Sequence, residues 1–249
     1  GKKLSAPNDL AIDNNDNIWF SDQIGNVDTK PELSFSCVVK AERNLDGSYT
    51  SKRMTYDCTS PNGLIFSKDF KQLYVAQSDF NGNQRRQLRS YQVDTNNLKS
   101  HKVLHDFGPH RGIDGMALDS YGNIVATCGW EVSGPGPMIC IFDKKGRIIL
   151  SERTPCMRPS NIAFGGKNLE DIYITSLEGH LYRVRNSGLK GNNLHYPGRD
   201  MENWNKIAGQ KNLTEGPTWI EGRGLLYSEC SASLTWLWDY KKKTNEVWR

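Results

Sequence analysis

Asn62-Gly-Leu-Ile-Phe-Ser67 is one of five stretches of a single type, and their spacing decides the fold. The others are Asn8-Asp-Leu-Ala-Ile-Asp13, Asp114-Gly-Met-Ala-Leu-Asp119, Ser160-Asn-Ile-Ala-Phe-Gly165 and Glu215-Gly-Pro-Thr-Trp-Ile220. Successive starts lie 54, 52, 46 and 55 residues apart. A repeat of this length made of short strands is the signature of a propeller blade.

Outward from each stretch, turn residues separate four strand-like runs. The first repeat reads 10–12, 17–22, 37–43 and 51–57, and the second 64–66, 72–77, 87–93 and 102–106. The third reads 116–118, 123–128, 138–142 and 147–153. The fourth reads 162–164, 171–176, 180–185 and, after a Gly- and Asn-rich stretch, 204–209; the fifth reads 217–219, 225–229, 234–240 and 246–249. Turn signatures such as Leu45-Asp-Gly and Lys145-Gly punctuate them. No helical periodicity of useful length competes. The expected class is all-β, a β-propeller of four-stranded antiparallel blades with five blades visible, in a single domain over 1–249.

Residues at one phase of a closed ring point at its axis. Asn8, Asn62, Asp114 and Glu215 share that phase, and the fifth copy carries Ser160 there. Two carboxylates and two amides make an oxygen cage for one hard divalent cation, Ca²⁺ foremost, with Mg²⁺, Zn²⁺ or Mn²⁺ as alternatives. No histidine shares the phase, which argues against a histidine-rich zinc site. His110 reads as a lone loop residue, and His101, His105 and His180 receive no role. Loops 23–36, 78–86, 129–137, 177–179 and 230–233 are expected to rim the mouth above the cage. The first three are long and carry Gln23, Asn26, Asp79, Arg85, Arg86, Trp130 and Glu131.

Composition sets the outer bounds. Only 37% of residues are hydrophobic, yet seven Trp, ten Tyr and eight Phe supply bulky core material. The net charge of +4 is mild. Its densest basic run, Lys241-Lys242-Lys243, reads as a solvated hairpin tip, so no nucleic-acid partner is expected. No apolar stretch approaches the ~18 residues of a membrane span, so no membrane partner is expected, and the N-terminus lacks a signal-peptide core. The expected partner is a small-molecule substrate; oligomeric state and compartment stay open. The six cysteines have no C-x-x-C spacing; Cys128 and Cys140 are placed where they could face each other across neighbouring strands. Asn212-Leu-Thr is a sequon that abuts Glu215.

These phrases resemble the senescence marker protein (regucalcin)/gluconolactonase family of six-bladed propellers. The matching stretches are Ala6-Pro-Asn-Asp-Leu-Ala-Ile-Asp13, Ser60-Pro-Asn-Gly-Leu-Ile-Phe-Ser67, Ile113-Asp-Gly-Met-Ala-Leu-Asp119, Arg158-Pro-Ser-Asn-Ile-Ala-Phe-Gly-Gly166 and Glu215-Gly-Pro-Thr-Trp219. The resemblance implies one divalent cation, with Glu215, Asn62 and Asp114 as ligands. Asn8 is implied as a ligand or as a substrate contact beside the cation. It implies hydrolysis of a small lactone, in which the cation polarises the carbonyl and acidifies water. Asp114 is the expected general base. Asn8, Trp130 and Arg111 are the expected substrate contacts.

The order departs from the family. Glu-Gly-Pro-x-Trp opens such proteins, whereas here it lies near the far end. His195-Tyr-Pro resembles a family C-terminus, and Trp204-Asn-Lys-Ile-Ala-Gly209 an N-terminal closing strand. The chain therefore reads as circularly permuted, with the old ends joined through an exposed connection over 187–203. Either five blades close on themselves, the expectation carried forward, or a sixth lies outside this sequence. Two other functions remain open: an organophosphate-cleaving phosphotriesterase at the same cation, and a non-catalytic propeller that binds a small molecule or protein.

Overall fold

A computed structural model describes residues 3–24, 32–79, 85–94, 97–192, 204–209, 211, 213–220 and 222–248. Packing divides the chain into two compact units, Gly1–Ile113 and Asp114–Arg249. Both are built from antiparallel sheets, four of them with four strands and one with five, the blades of a β-propeller fold. The only helical element among the described residues is a 3-10 turn, Cys230–Ala232.

The first unit holds two sheets. One runs β1(Pro7–Ile12), β2(Ile18–Asp22), β3(Cys37–Arg43), β4(Tyr49–Arg53) in spatial order. The other runs β5(Pro61–Phe66), β6(Gln72–Gln77), β7(Arg86–Asp94), with β9(Lys102–Gly108) beside β7 and a two-residue strand β8(Asn97–Leu98) at its far end. Their core fills the space between the two sheets: Trp19, Val38 and Met54 from the first meet Leu64, Phe66, Leu73, Val75 and Tyr91 from the second. Trp19 meets Phe66 edge to face at 5.4 Å.

The second unit holds three sheets. They are β10(Ile113–Leu118), β11(Ile124–Trp130), β12(Ser133–Phe142), β13(Ile148–Arg153); then β14(Pro159–Gly165), β15(Asp171–Ser176), β16(Leu181–Val184), β17(Trp204–Ala208). The last is β18(Thr214–Ile220), β19(Gly224–Glu229), β20(Leu234–Asp239), β21(Thr244–Val247). Cores again lie between successive sheets, with Val125, Ile139 and Ile141 against Ile162, Phe164, Ile172 and Ile174. Tyr173 and Leu181 pack against Leu225, Tyr227 and Trp238.

Asp side chains close the hairpins. Asp13 accepts from the backbone of Asn15 and Asn17 and from the Trp19 indole. Asp239 accepts from Lys241 and Lys242 N–H at 2.9 and 3.0 Å, so the lysine run does form a hairpin tip.

Several expectations need correction. Inner strands begin three residues before the apolar runs, because the residue ahead of the phase residue is already paired: Pro7 with Asp22, Pro61 with Gln77, Pro159 with Ser176 and Thr214 with Glu229. The 129–137 segment is no long loop: Trp130 pairs with Ser133 around a two-residue turn. Cys128 stands opposite Met138 and Ala126 opposite Cys140, so the two cysteines are diagonal neighbours, and all six cysteines are free thiols. Trp204–Ala208 pairs with Leu181–Val184, as expected for the outer strand of the fourth sheet. The described part of the 187–203 connection is packed rather than exposed. Ser187 is fully buried, Leu189 joins the core, and Ser120 N–H donates to Lys190 O. Asn26, His195, Asn212 and residues 193–203 lie outside the described residues.

Candidate functional site

A β-bulge recurs where the phase residues sit. Pro7 pairs with Asp22 and Leu10 with Phe20, so three residues on the inner strand span two on its partner. The same offset separates Pro61/Leu64 from Gln77/Val75, Pro159/Ile162 from Ser176/Ile174 and Glu215/Thr218 from Ser228/Leu226. A bulge bends its strand and re-aims the side chain it carries. Asn8, Asn62 and Ser160 sit inside this irregularity, whereas Glu215 is the paired residue that opens it, opposite Ser228.

The neighbouring strand supplies the hydrogen bonds that a bulge forfeits. Ser21 Oγ accepts from Asp9 N at 3.1 Å, Thr127 Oγ1 from Gly115 N at 3.1 Å and Thr175 Oγ1 from Asn161 N at 3.1 Å. In each case the donor follows the phase residue. This hydroxyl position escaped the sequence reading, although Ser21, Thr127 and Thr175 occupy one place in the second strand of three repeats. Its signal was a hydroxyl inside an otherwise apolar run.

In the first unit β1 and β5 pack side by side. Asn62 is 3% exposed, while Asn8 lies on the exposed edge of its strand. The buried Asp22 carboxylate accepts from Ser5 and Ala6 N–H at 3.1 and 2.8 Å, fixing the approach to Asn8. Gln77 holds the approach to Asn62, accepting from Thr59 N at 3.2 Å. Gln23, expected at the rim, is instead buried and donates to Pro61 O at 2.7 Å. Ser78 makes the corresponding bond to Ile113 O.

In the second unit Asp114 is 7% exposed, Ser160 fully buried and Glu215 half-buried. Ser160 Oγ donates inward, with Thr175 Oγ1 at 2.9 Å and Thr214 O at 2.8 Å. Its hydroxyl is occupied in joining β14 to β18. Thr214 Oγ1 sits 3.0 Å from the carbonyl oxygens of both Ser176 and His180, which anchors the residue before Glu215. The Glu215 carboxylate neighbours Cys230: burial pushes that thiol up, and the negative charge of Glu215 adds to the effect. Gly115 is required by crowding, since a Cβ there would meet Asn161 Oδ1 at 2.1 Å.

Trp130 lies at the end of β11 with the Arg158 guanidinium 5.2 Å from its ring centroid. Arg158 in turn binds Glu131, with Nη2 to Oε1 at 2.8 Å. Arg111 is half-buried, three residues ahead of Asp114. His180 is pulled down by burial and by the charge of Lys206.

The four ligands expected from the sequence offer only oxygen donors, two amide and two carboxylate groups. That set fits a hard cation and contains nothing that selects a soft one. Among the described residues no group of three or more His, Cys, Asp or Glu side chains could hold a metal ion. No described helix is long and apolar enough to cross a membrane.

Propeller blades with a recurrent polar bulge define the class of protein. The family profile "SMP-30/Gluconolactonase/LRE-like region" matches residues 1–178, and the chain belongs to that family. A lactonohydrolase of Aspergillus oryzae is 30% identical over 149 residues, which covers 50% of this chain and 29% of that protein. A regucalcin of Danio rerio is 27% identical over 152 residues, covering 60% and 48% respectively. A solved gluconolactonase from Xanthomonas campestris superposes with a TM-score of 0.59 at 26% identity, covering 71% of this chain and 56% of that one. The chain spans less than half the length of the curated relatives it matches.

Proposed function

We propose that this chain carries the active site of a lactone hydrolase with a divalent cation, most naturally Ca²⁺, held by Glu215, Asn62, Asp114 and Asn8. The observation that carries this reading is the repeated bulge, which sets Asn8, Asn62 and Ser160 at one place in three sheets and opens at Glu215 in a fourth. Family membership supports it, as do relatives named for lactone hydrolysis.

When bound, the cation would supply Lewis-acid activation of the ester carbonyl. The chain's own residues do the rest. Asp114, on a short side chain, takes a proton from water as the water oxygen bonds to the lactone carbonyl carbon. The ring C–O bond then breaks, and the departing alkoxide recovers the proton from Asp114, leaving a hydroxy acid. Glu215 and Asn62 act as ligands, while Asn8 orients water or substrate. The permuted order of motifs belongs to the same reading.

Proton release from simple aldonolactones, measured with and without chelator, tests the proposal. Hydrolysis that stops with chelator and returns with added Ca²⁺ is the expected result. Hydrolysis indifferent to chelator would sink the cation-dependent mechanism, and cleavage of an aryl phosphate triester alone would favour the phosphotriesterase.

A further inference from the structure

We propose that the seam between the sheet β14–β17 and the sheet β18–β21 holds a small inorganic anion of halide type, bound by Arg183 and Trp238. Both sheets belong to the second unit, and the two residues lie two strands outward from Ser160 and Glu215. The site goes beyond the lactonase reading and does not depend on it.

Strand register brings the two residues face to face. In one sheet Ala163, Tyr173 and Arg183 form a row across β14, β15 and β16. In the other, Trp219, Leu225, Trp238 and Asn245 form a row across β18, β19, β20 and β21. The Tyr173 ring stacks on Trp219 with centroids 5.8 Å apart, and Tyr173 and Trp238 share one core. The rows therefore oppose each other, and their third-strand members are Arg183 and Trp238.

Polar groups in this seam are not matched. Arg183 and Trp238 are 8% and 7% exposed, yet Arg183 Nε and Trp238 Nε1 have no hydrogen-bond partner among the described residues. Nor does Arg183 form an ion pair among them. Burial pushes the Tyr173 hydroxyl up, opposed by a hydrogen bond with Arg183 and by its charge, so part of that guanidinium is spent on a neutral group. Asp171 and Arg185 act on the same hydroxyl with opposite signs. The Asp171 carboxylate itself accepts from Asn186 N–H at 3.1 Å.

A buried charge without a counter-ion is costly, and so is a buried N–H without an acceptor. One anion between Arg183 and Trp238 answers both. Asn245, next to Trp238 in its row, donates from Nδ2 to Tyr227 Oη at 2.7 Å and leaves a buried Oδ1 without a partner. The Tyr227 hydroxyl can donate as readily as accept. Turning the amide over keeps that bond and presents an N–H of Asn245 to the seam in place of the oxygen. Donors without acceptors suit an anion better than water, which needs both. Because the donors are buried, a monatomic ion fits them better than a phosphate or carboxylate.

Urea unfolding followed by tryptophan fluorescence, with sodium bromide replacing sodium glutamate at fixed ionic strength, tests the site. The urea midpoint should rise and then saturate. At about a hundred times its dissociation constant, bromide should lower the unfolding equilibrium constant by about 100-fold. Arg183→Met removes the charge and Trp238→Phe removes the N–H, and each should abolish the saturable effect. Should a variant fail to fold, crystals of the unchanged protein grown in bromide decide the matter. The anomalous peak of the ion should lie within hydrogen-bond distance of Arg183 Nε and Trp238 Nε1. A midpoint indifferent to bromide, an effect undiminished in either variant, or an ordered water at this place in the bromide-grown crystal would overturn the site. Bromide seen at crystal concentration only, with no effect on the urea midpoint, overturns it as well.

Discussion

Ser160 Oγ lies 2.8 Å from the carbonyl oxygen of Thr214, so the serine at the cage phase is turned into the seam between β14 and β18. This accounts for the one repeat whose phase residue is not a proposed ligand. The fourth sheet uses that position to hold the fifth in place, directly beside Glu215. Ser160→Ala would leave the Thr214 carbonyl without this buried donor. The expected loss is about 1–3 kcal/mol, the usual penalty for an unsatisfied buried group, read as a shift in urea midpoint at unchanged m-value. A change below about 0.5 kcal/mol would mean that water replaces the hydroxyl.

Crowding at Gly115 yields a second test. The Asn161 side chain fills the space where a Cβ would lie. Gly115→Ala should therefore destabilise by about 1–3 kcal/mol through overpacking next to Asp114. The double variant Gly115→Ala, Asn161→Ala should recover part of that loss, and a positive coupling in the cycle is the outcome to measure. Strict additivity would show that the clash is with the Asn161 backbone, whose Cα would stand 2.7 Å from the new Cβ and remains in the double variant.

Cys230 reports on Glu215. Burial and the neighbouring carboxylate both raise this thiol above its ordinary range. Glu215→Gln removes the negative charge, which lowers the thiol pKa and enlarges the reactive fraction. Alkylation of Cys230 by iodoacetamide should then quicken by about two- to tenfold at fixed pH. Cys37, buried and pushed up to about 11, should stay unlabelled in both proteins and serve as the internal reference. An unchanged Cys230 rate would mean that Glu215 does not act on it electrostatically.

Much of this architecture was legible because it repeats. Turn residues and apolar alternation located all the sheets, and Trp204–Ala208 could be assigned to the fourth sheet from its resemblance to a closing strand. What the sequence hid was the bulge. An extra residue leaves no mark in an apolar alternation that begins only after it, and each inner strand starts three residues before its apolar run. The hydroxyls of Ser21, Thr127 and Thr175 are hidden for the same reason, since their purpose appears only once the N–H groups of Asp9, Gly115 and Asn161 are seen to donate to them. The hairpin at Glu131–Val132 was misjudged because Gly134, Pro135, Gly136 and Pro137 read as loop, yet β12 runs straight through them. Gln23, polar and close to a long loop, was given to the rim although its amide is spent on Pro61 O.

The cage residues themselves separate by what each substitution removes. Asp114→Asn keeps an oxygen for the cation and deletes the basic carboxylate, so turnover should fall by about 10²-fold or more while cation affinity changes less. Glu215→Gln keeps its oxygen too but lowers the charge of the cage, so its defect should lie in cation affinity, and excess cation should restore part of the rate. Asn62→Ala removes a ligand oxygen outright and should behave like Glu215→Gln. It also empties a site that is 3% exposed, so its stability must be measured alongside. The contrast is decided by titrating lactone turnover against added Ca²⁺ for each variant. Curves for Glu215→Gln and Asn62→Ala should shift to higher cation with a recoverable maximum, whereas Asp114→Asn should keep its midpoint nearer wild type with a depressed maximum. If Asp114→Asn reaches wild-type turnover at saturating cation, Asp114 is not the base. The proton must then go to Glu215, the other carboxylate of the cage, whose substitution should in that case cost turnover that no amount of cation restores.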